Sequence, residues 1–238
     1  MLWLSRKDIE HISRRLLRDY LKKVPQKVDH IDPTDFAEKM CGLQFTFADI
    51  SEAHDAIGLT ATSGVIITIP QRDGTRLDYE LDGKTAFIDQ SLVAENQIGR
   101  LNFTMMHEVA HQLFWMLYPE EYEVQTPRCV FRMTDEHTQY PVLDWEEWQT
   151  NVLTSFLLLP KELVYRHMAN VGLKDGISVL NRIYARKDYE RFSEAAKRLG
   201  VSKTALTIRL SQLGLVGRND LYDPYALVDI FPEKNEIA

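Results

Sequence analysis

Residues 102–116 read NFTMMHEVAHQLFWM, and the placement of their few polar side chains decides how the rest of the chain must be arranged. On a helical wheel of residues 103–118 the polar positions are Thr104, His107, Glu108, His111 and Gln112, and almost everything else is apolar. A helix apolar nearly all round belongs in the interior, so other elements have to surround it. Burying imidazoles without partners costs free energy, so the two histidines must either hydrogen-bond to neighbours or coordinate something. His107 and His111 stand about 40° apart on one face, which lets both rings point at one ion. Glu108 lies about 60° round from His111, beside that ion without ligating it, where a general base would stand. The pattern H-E-x-x-H is short enough to arise by chance, and two satisfied core histidines share its spacing. A catalytic metal of this type needs a third protein ligand and one open position.

The third ligand is sought in WEEWQTNVLTSFLLLP, residues 145–160. Glu147, Asn151 and Thr154 fall within about 60° on one side of a helix whose later turns are otherwise apolar. A polar stripe on a buried helix should face something polar. Glu147 is therefore the expected ligand, and Asn151, one turn on, is placed to hydrogen-bond a ligating histidine and fix its tautomer. Glu146 competes for the same role, and either acid gains from the helix macrodipole near the start of the helix. Glu120, Glu121, Glu123 and Glu136 lie in a polar stretch and read as solvated.

The rest of the chain is ordinary for a globular protein: 238 residues, 45% hydrophobic and 26% charged, enough for a sizeable core. A net charge of -7 argues against a whole-protein electrostatic footprint for nucleic acid or anionic membrane. Two cysteines, Cys41 and Cys129, suit neither a disulfide framework nor a cysteine-built metal site. The opening MLWLSRKDIE has no apolar signal region, and no run reaches the length of a membrane span. A cytoplasmic, membrane-free protein is expected.

Along the chain, Ser5 with Asp8 resembles a capping box, and Ile9, Ile12, Leu16 and Tyr20 recur at helical spacing up to Pro25. Asp32-Pro33 and Gly42 bracket a second helix over 33–41. Between Leu43 and Asp89 the pattern becomes that of short strands, LQFTF, VIITI, LDYEL and TAFID, punctuated by Asp73-Gly74 and Asp82-Gly83. A small antiparallel sheet is expected there, offering an edge to which an extended peptide could add. Helix resumes near Asn96, residues 119–142 read as a long loop, and helix 145–159 ends at Pro160. The fold class is α+β: a small antiparallel sheet packed against a central H-E-x-x-H helix, with a helical C-terminal part.

That C-terminal part contains FSEAAKRLGVSKTALTIRLSQLGL, residues 192–215, spaced like a helix-turn-helix with its second helix starting at Ser202. From Asn181 to Arg218 there are nine Lys or Arg against three acids. Helix pairs with a glycine turn are common, and the expected role is packing on the catalytic part. The rival reading is a DNA-binding or repressor-binding regulatory protein whose metal site is structural or inactive. The chain is expected to divide into residues 1–172, which carry the metal-site pattern, and 173–238, a helical segment.

The combination of Arg100, NFTMMHEVAHQLF, EWQTN and SFLLLP resembles the ImmA/IrrE family of bacterial metallopeptidases. The family pattern is R-x-x-F-T-x-x-H-E-x-x-H, then a glutamate with Asn or Asp one turn on, and a closing L-L-x-P; the core of the resemblance covers residues 100–160. It implies a thermolysin-like (zincin-like) fold and one zinc ion on His107, His111 and Glu147, with Glu108 as catalytic base. It further implies cleavage of a helix-turn-helix repressor that controls mobile-element or stress genes. The pattern is departed from in two places: Gln149-Thr150 stands where many members have Glu-Ala, and Ser155 where many have Ala or Gly. Neither removes a proposed ligand. Two histidines and a carboxylate accept several divalent ions, so zinc is the expected metal without being the sole one the ligands allow. Zinc in such a site acidifies water and polarises a carbonyl, while the adjacent carboxylate carries the proton. Tyr118, Tyr122, His137 and Tyr184 are the aromatic or imidazole side chains from which an oxyanion stabiliser could come, but a core or surface role is the expected one for each and none is assigned.

Overall fold

The computed structural model describes residues 3–51, 56–61, 64–71, 73–121, 128–131 and 145–224. Helix α1, Arg6–Lys23, starts in the expected capping box: Ser5 accepts from the Asp8 amide and Asp8 returns a bond to the Ser5 amide. Helix α2, Pro33–Cys41, is capped by the Asp32 carboxylate and closed by Gly42 at φ 68°, a conformation only glycine adopts without cost. Five strands follow: β1 (Gln44–Ala48), β2 (Ala56–Thr60), β3 (Val65–Pro70), β4 (Arg76–Leu81) and β5 (Thr85–Asp89). Two short 3-10 turns then lead into α3, Ile98–Leu117, the helix that carries His107, Glu108 and His111.

The strands do not make one antiparallel sheet. The main sheet has the order β1-β5-β2-β6, where β6 is Arg128–Phe131, with β1 and β5 parallel and β2 antiparallel to both its neighbours. Strands β3 and β4 form a separate hairpin around Asp73-Gly74. The Asp82-Gly83 turn, which has the chemistry of a hairpin, joins strands of different sheets. Alternation along a short strand fixes which face is buried and says nothing of the partner, which is why the parallel pair was not legible. The fourth strand, β6 (Arg128–Phe131), lies inside the stretch expected to be loop. Four residues are too few to show a period, and only pairing with β2 defines them as strand. The remainder of 122–144 lies outside the described residues.

Helix α4, Trp145–Leu158, packs against α3, and α5, Lys161–Asn170, follows it. The C-terminal segment holds α6 (Arg186–Arg198) and α7 (Lys203–Gln212), joined through Gly200 at φ 68° and capped by Ser202. It is not wholly helical: β7 (Ile177–Leu180) and β8 (Val216–Asn219) pair in parallel and bracket the two helices.

One apolar cluster ties these parts together, running from Ile9 and Phe36 through Met106 and Leu153 to Phe192 and Leu210. The first turn of α3 is docked on the α6–α7 turn: Asn102 donates to the Gly200 carbonyl at 2.8 Å, and a Cβ on Gly99 would lie 2.3 Å from the Ser202 nitrogen. No helix among the described residues is long and apolar enough to cross a membrane.

Candidate metal centre

Helix α3 is buried from Thr104 to Trp115, as expected of a helix apolar nearly all round. Its two histidines sit one turn apart with their Nε2 atoms 3.0 Å from each other. Helix α4 brings Glu147 to them, Oε2 at 3.1 Å from His107 Nε2 and Oε1 at 3.2 Å from His111 Nε2. Ligands about 2.0–2.1 Å from a tetrahedral ion are separated by about 3.3 Å. The two Nε2 atoms stand close to that separation, and each faces a different oxygen of Glu147 at a similar distance; one ligand atom from each residue lies within 4.8 Å of the others, a group of His, His and carboxylate able to hold a metal ion.

The electrostatics separate the two acids. Burial alone pushes the Glu147 carboxyl up, but hydrogen bonds and charge from His107 and His111 outweigh it and hold the group well below the ordinary carboxylate range. Glu108 is fully buried, and neither of its oxygens has a hydrogen-bond partner among the described residues. Its pKa is raised, first by that burial and then by the negative charge of Glu147. An anionic carboxylate beside two imidazoles can complete a metal-ligand set, and a nearby carboxyl that favours its protonated form has the chemistry of a proton carrier.

Glu146 is also buried but takes no place in the ligand group, so the choice between the neighbouring acids falls on Glu147. Asn151 is not brought to a histidine. The inward face of α4 is centred on Glu146, Gln149, Thr150 and Leu153; Glu147 reaches in from its rim, and Asn151, one turn on, is exposed. Thr154, the third member of the stripe read from the sequence, turns its hydroxyl back to the Thr150 carbonyl at 2.8 Å.

Thr150 takes the position expected of Asn151. Its hydroxyl donates to the Glu146 carbonyl at 2.9 Å and lies 3.5 Å from His111 Nδ1. With its hydrogen so engaged, the oxygen is left to accept from His111 Nδ1–H, which places Thr150 to fix the orientation of that ring. Nothing in the sequence separated Thr150 from Asn151, since both lie within a turn of Glu147 and only the packing angle of α4 decides. Gln149 accepts from the Leu4 amide at 3.0 Å, binding the N-terminal segment to the helix that carries the ligand.

A second residue missed by sequence reading is Gly58, on β2 directly over Glu108. Its signal was the glycine inside the apolar run AIGLT, which marks a close approach of another group to a strand. Of the aromatic and imidazole candidates, Tyr118 is half-buried at the end of α3 and Tyr184 is exposed; Tyr122 and His137 lie outside the described residues. In the C-terminal pair, Arg209 of α7 is buried, donating to the Leu159 carbonyl at 3.0 Å and lying over the Phe156 ring. That face of α7 is engaged with the end of α4. No family model and no curated protein matches this chain.

Proposed function

We propose that this protein is a zinc-dependent metalloendopeptidase of the ImmA/IrrE kind, acting in the cytosol on a helix-turn-helix transcriptional repressor. The observation that carries the reading is the convergence of His107, His111 and Glu147 at 3.0–3.2 Å beside the fully buried, unpartnered carboxyl of Glu108. A structural metal site closes itself with four protein ligands, whereas three ligands with an acid alongside leave room for water and a substrate carbonyl. A divalent ion held there supplies acidified water and polarises the scissile carbonyl.

The chain's own residues do the remainder. His107 and His111 are held at the correct spacing by one turn of α3, and Thr150 orients the His111 ring from behind. Glu147 supplies the negative charge of the ligand set. Glu108 takes a proton from the attacking water and returns it to the leaving amine, a task suited to a carboxyl whose surroundings raise its affinity for protons. The repressor as substrate rests on the family resemblance alone.

The test is incubation of the zinc-loaded protein with purified helix-turn-helix repressors encoded beside it, followed by mass spectrometry of the products. Cleavage that stops with a chelator and is lost in Glu108→Gln is the expected result. Duplex DNA binding with a steep salt dependence, and no metal-dependent cleavage, would instead establish the DNA-binding regulator.

A further inference from the structure

The Glu108 carboxylate makes no hydrogen bond among the described residues, so something other than hydrogen bonding must set where it points. What bounds it is strand β2. A Cβ built on Gly58 would lie 2.4 Å from Glu108 Oε1, 3.2 Å from its Cδ and 2.8 Å from the Thr104 methyl carbon. The first and last of these are closer than nonbonded atoms come. The carboxyl therefore occupies the volume that any other residue at position 58 would fill.

Backbone conformation does not explain the glycine. Gly58 is not among the glycines at positive φ; it lies in a strand opposite Ile88 of β5 and, just after the β2–β6 register shifts between Ala56 and Gly58, opposite Val130 of β6. Glycine in the interior of a strand weakens the sheet, and a register shift without a positive φ accepts other residues, so the contacts a Cβ would make with Glu108 and Thr104 are what set position 58 apart.

The register that aims this gap is itself pinned. Gln112, one turn beyond Glu108, donates to Thr60 Oγ1 at 3.0 Å and to the Ala61 carbonyl at 3.3 Å. Four residues of helix advance about 6 Å and two residues of strand about 6.6 Å, so α3 and β2 run in step. Fixing Gln112 on Thr60 thereby fixes Glu108 under Gly58.

We propose that Gly58 is a positioning residue: the side chain it lacks, with the Thr60–Gln112 clamp setting the register, holds the Glu108 carboxyl in the orientation that proton transfer at the metal centre requires. This rests on the reading of Glu108 as proton carrier, but its geometric half can be tested apart from it.

The test crosses Gly58→Ala with Glu108→Ala in the full-length chain and reads urea denaturation of all four proteins. In the wild-type background the folding equilibrium constant should fall by about tenfold or more, as overpacking a filled site does. In the Glu108→Ala background that loss should shrink by about fivefold or more, because the crowded oxygen is gone. The share due to Thr104 is present in both arms and cancels. Equal losses in the two backgrounds would overturn the proposal.

A second readout reports position instead of stability: the visible spectrum of the cobalt(II)-substituted proteins. Gly58→Ala should keep cobalt at wild-type stoichiometry with an altered spectrum, and should change nothing further once Glu108 is alanine. A spectrum unchanged by Gly58→Ala would count against the proposal. Failure of the wild type to bind cobalt would overturn the metal reading of the preceding section, and the denaturation cycle would still decide whether Gly58 positions Glu108.

Discussion

Two helix pairs in this protein, α3 with α4 and α6 with α7, bury polar side chains in the same apolar cluster, and they do so in opposite ways. In the C-terminal pair the buried cation is satisfied: Arg209 reaches the Leu159 carbonyl, the Gln212 side chain at 3.2 Å and the Phe156 ring. In the other pair the groups converge on one point and stay incompletely satisfied, with His107 Nδ1 and both oxygens of Glu108 lacking partners among the described residues. Each buried unpartnered group costs about 1–3 kcal/mol. The first arrangement stitches elements together. The second leaves polar atoms uncompensated beside the candidate ligand group, a pattern that functional sites share.

The widest gap between the pairs should appear on removing the unsatisfied acid. Glu108→Gln should lower cleavage by about 10²–10⁴-fold while leaving metal content unchanged, measured as turnover of a repressor substrate. The same substitution should stabilise the metal-free protein. Because the folded-state pKa of Glu108 lies above the ordinary glutamate value of 4.5, the folded chain holds a proton that the unfolded chain has released once the pH exceeds that value. Folding is penalised increasingly as pH rises from there to the raised pKa, and the advantage of Gln should grow over that window, read by denaturation at several pH values. Glu147 behaves in the opposite sense: its depressed pKa contributes stability above its unfolded value, lost as pH falls through the folded one. An advantage of Gln that did not vary with pH would erase the contrast between the two acids.

Next in size is the buried cation of the C-terminal pair. Arg209→Met should cost about 1–3 kcal/mol of stability by leaving the Leu159 carbonyl unpaired, with metal stoichiometry intact. Loss of metal in that variant would mean the two pairs are not separable in this way. Smaller again, Thr150→Val should weaken metal affinity by about tenfold, at the lower end of what outer hydrogen-bonding partners contribute, whereas Asn151→Ala should leave it within about twofold. Competition titrations with a chromophoric chelator distinguish them. The reverse order would return the orienting role to Asn151.

What could be read from the sequence followed from how local its cause was. The caps at Ser5, Asp32, Gly42 and Ser202 depend on neighbours within four residues, and each occurs where the sequence signals it. The histidine pair and its buried helix follow from a single 3.6-residue period. The parallel pairing of β1 with β5, the strand at Arg128–Phe131 and the β7–β8 pair depend on partners far away in the chain, and four- or five-residue strands carry no mark of them. At the site, Glu147 was legible because a carboxylate on a buried helix has few alternatives. Thr150 was not, because the angle at which α4 meets α3 decides between it and Asn151. Gly58 left a trace, a glycine within an apolar strand, but only its contact with Glu108 gives the trace a meaning.

The central claim is that His107, His111 and Glu147 hold one divalent ion. Elemental analysis of untagged protein, purified without added metal, tests it in the wild type beside Glu147→Ala and Glu146→Ala. About one zinc per chain, lost in Glu147→Ala and retained in Glu146→Ala, is the predicted result. A wild type that stays metal-free even when zinc is supplied, or a Glu147→Ala variant that keeps its metal, would contradict it.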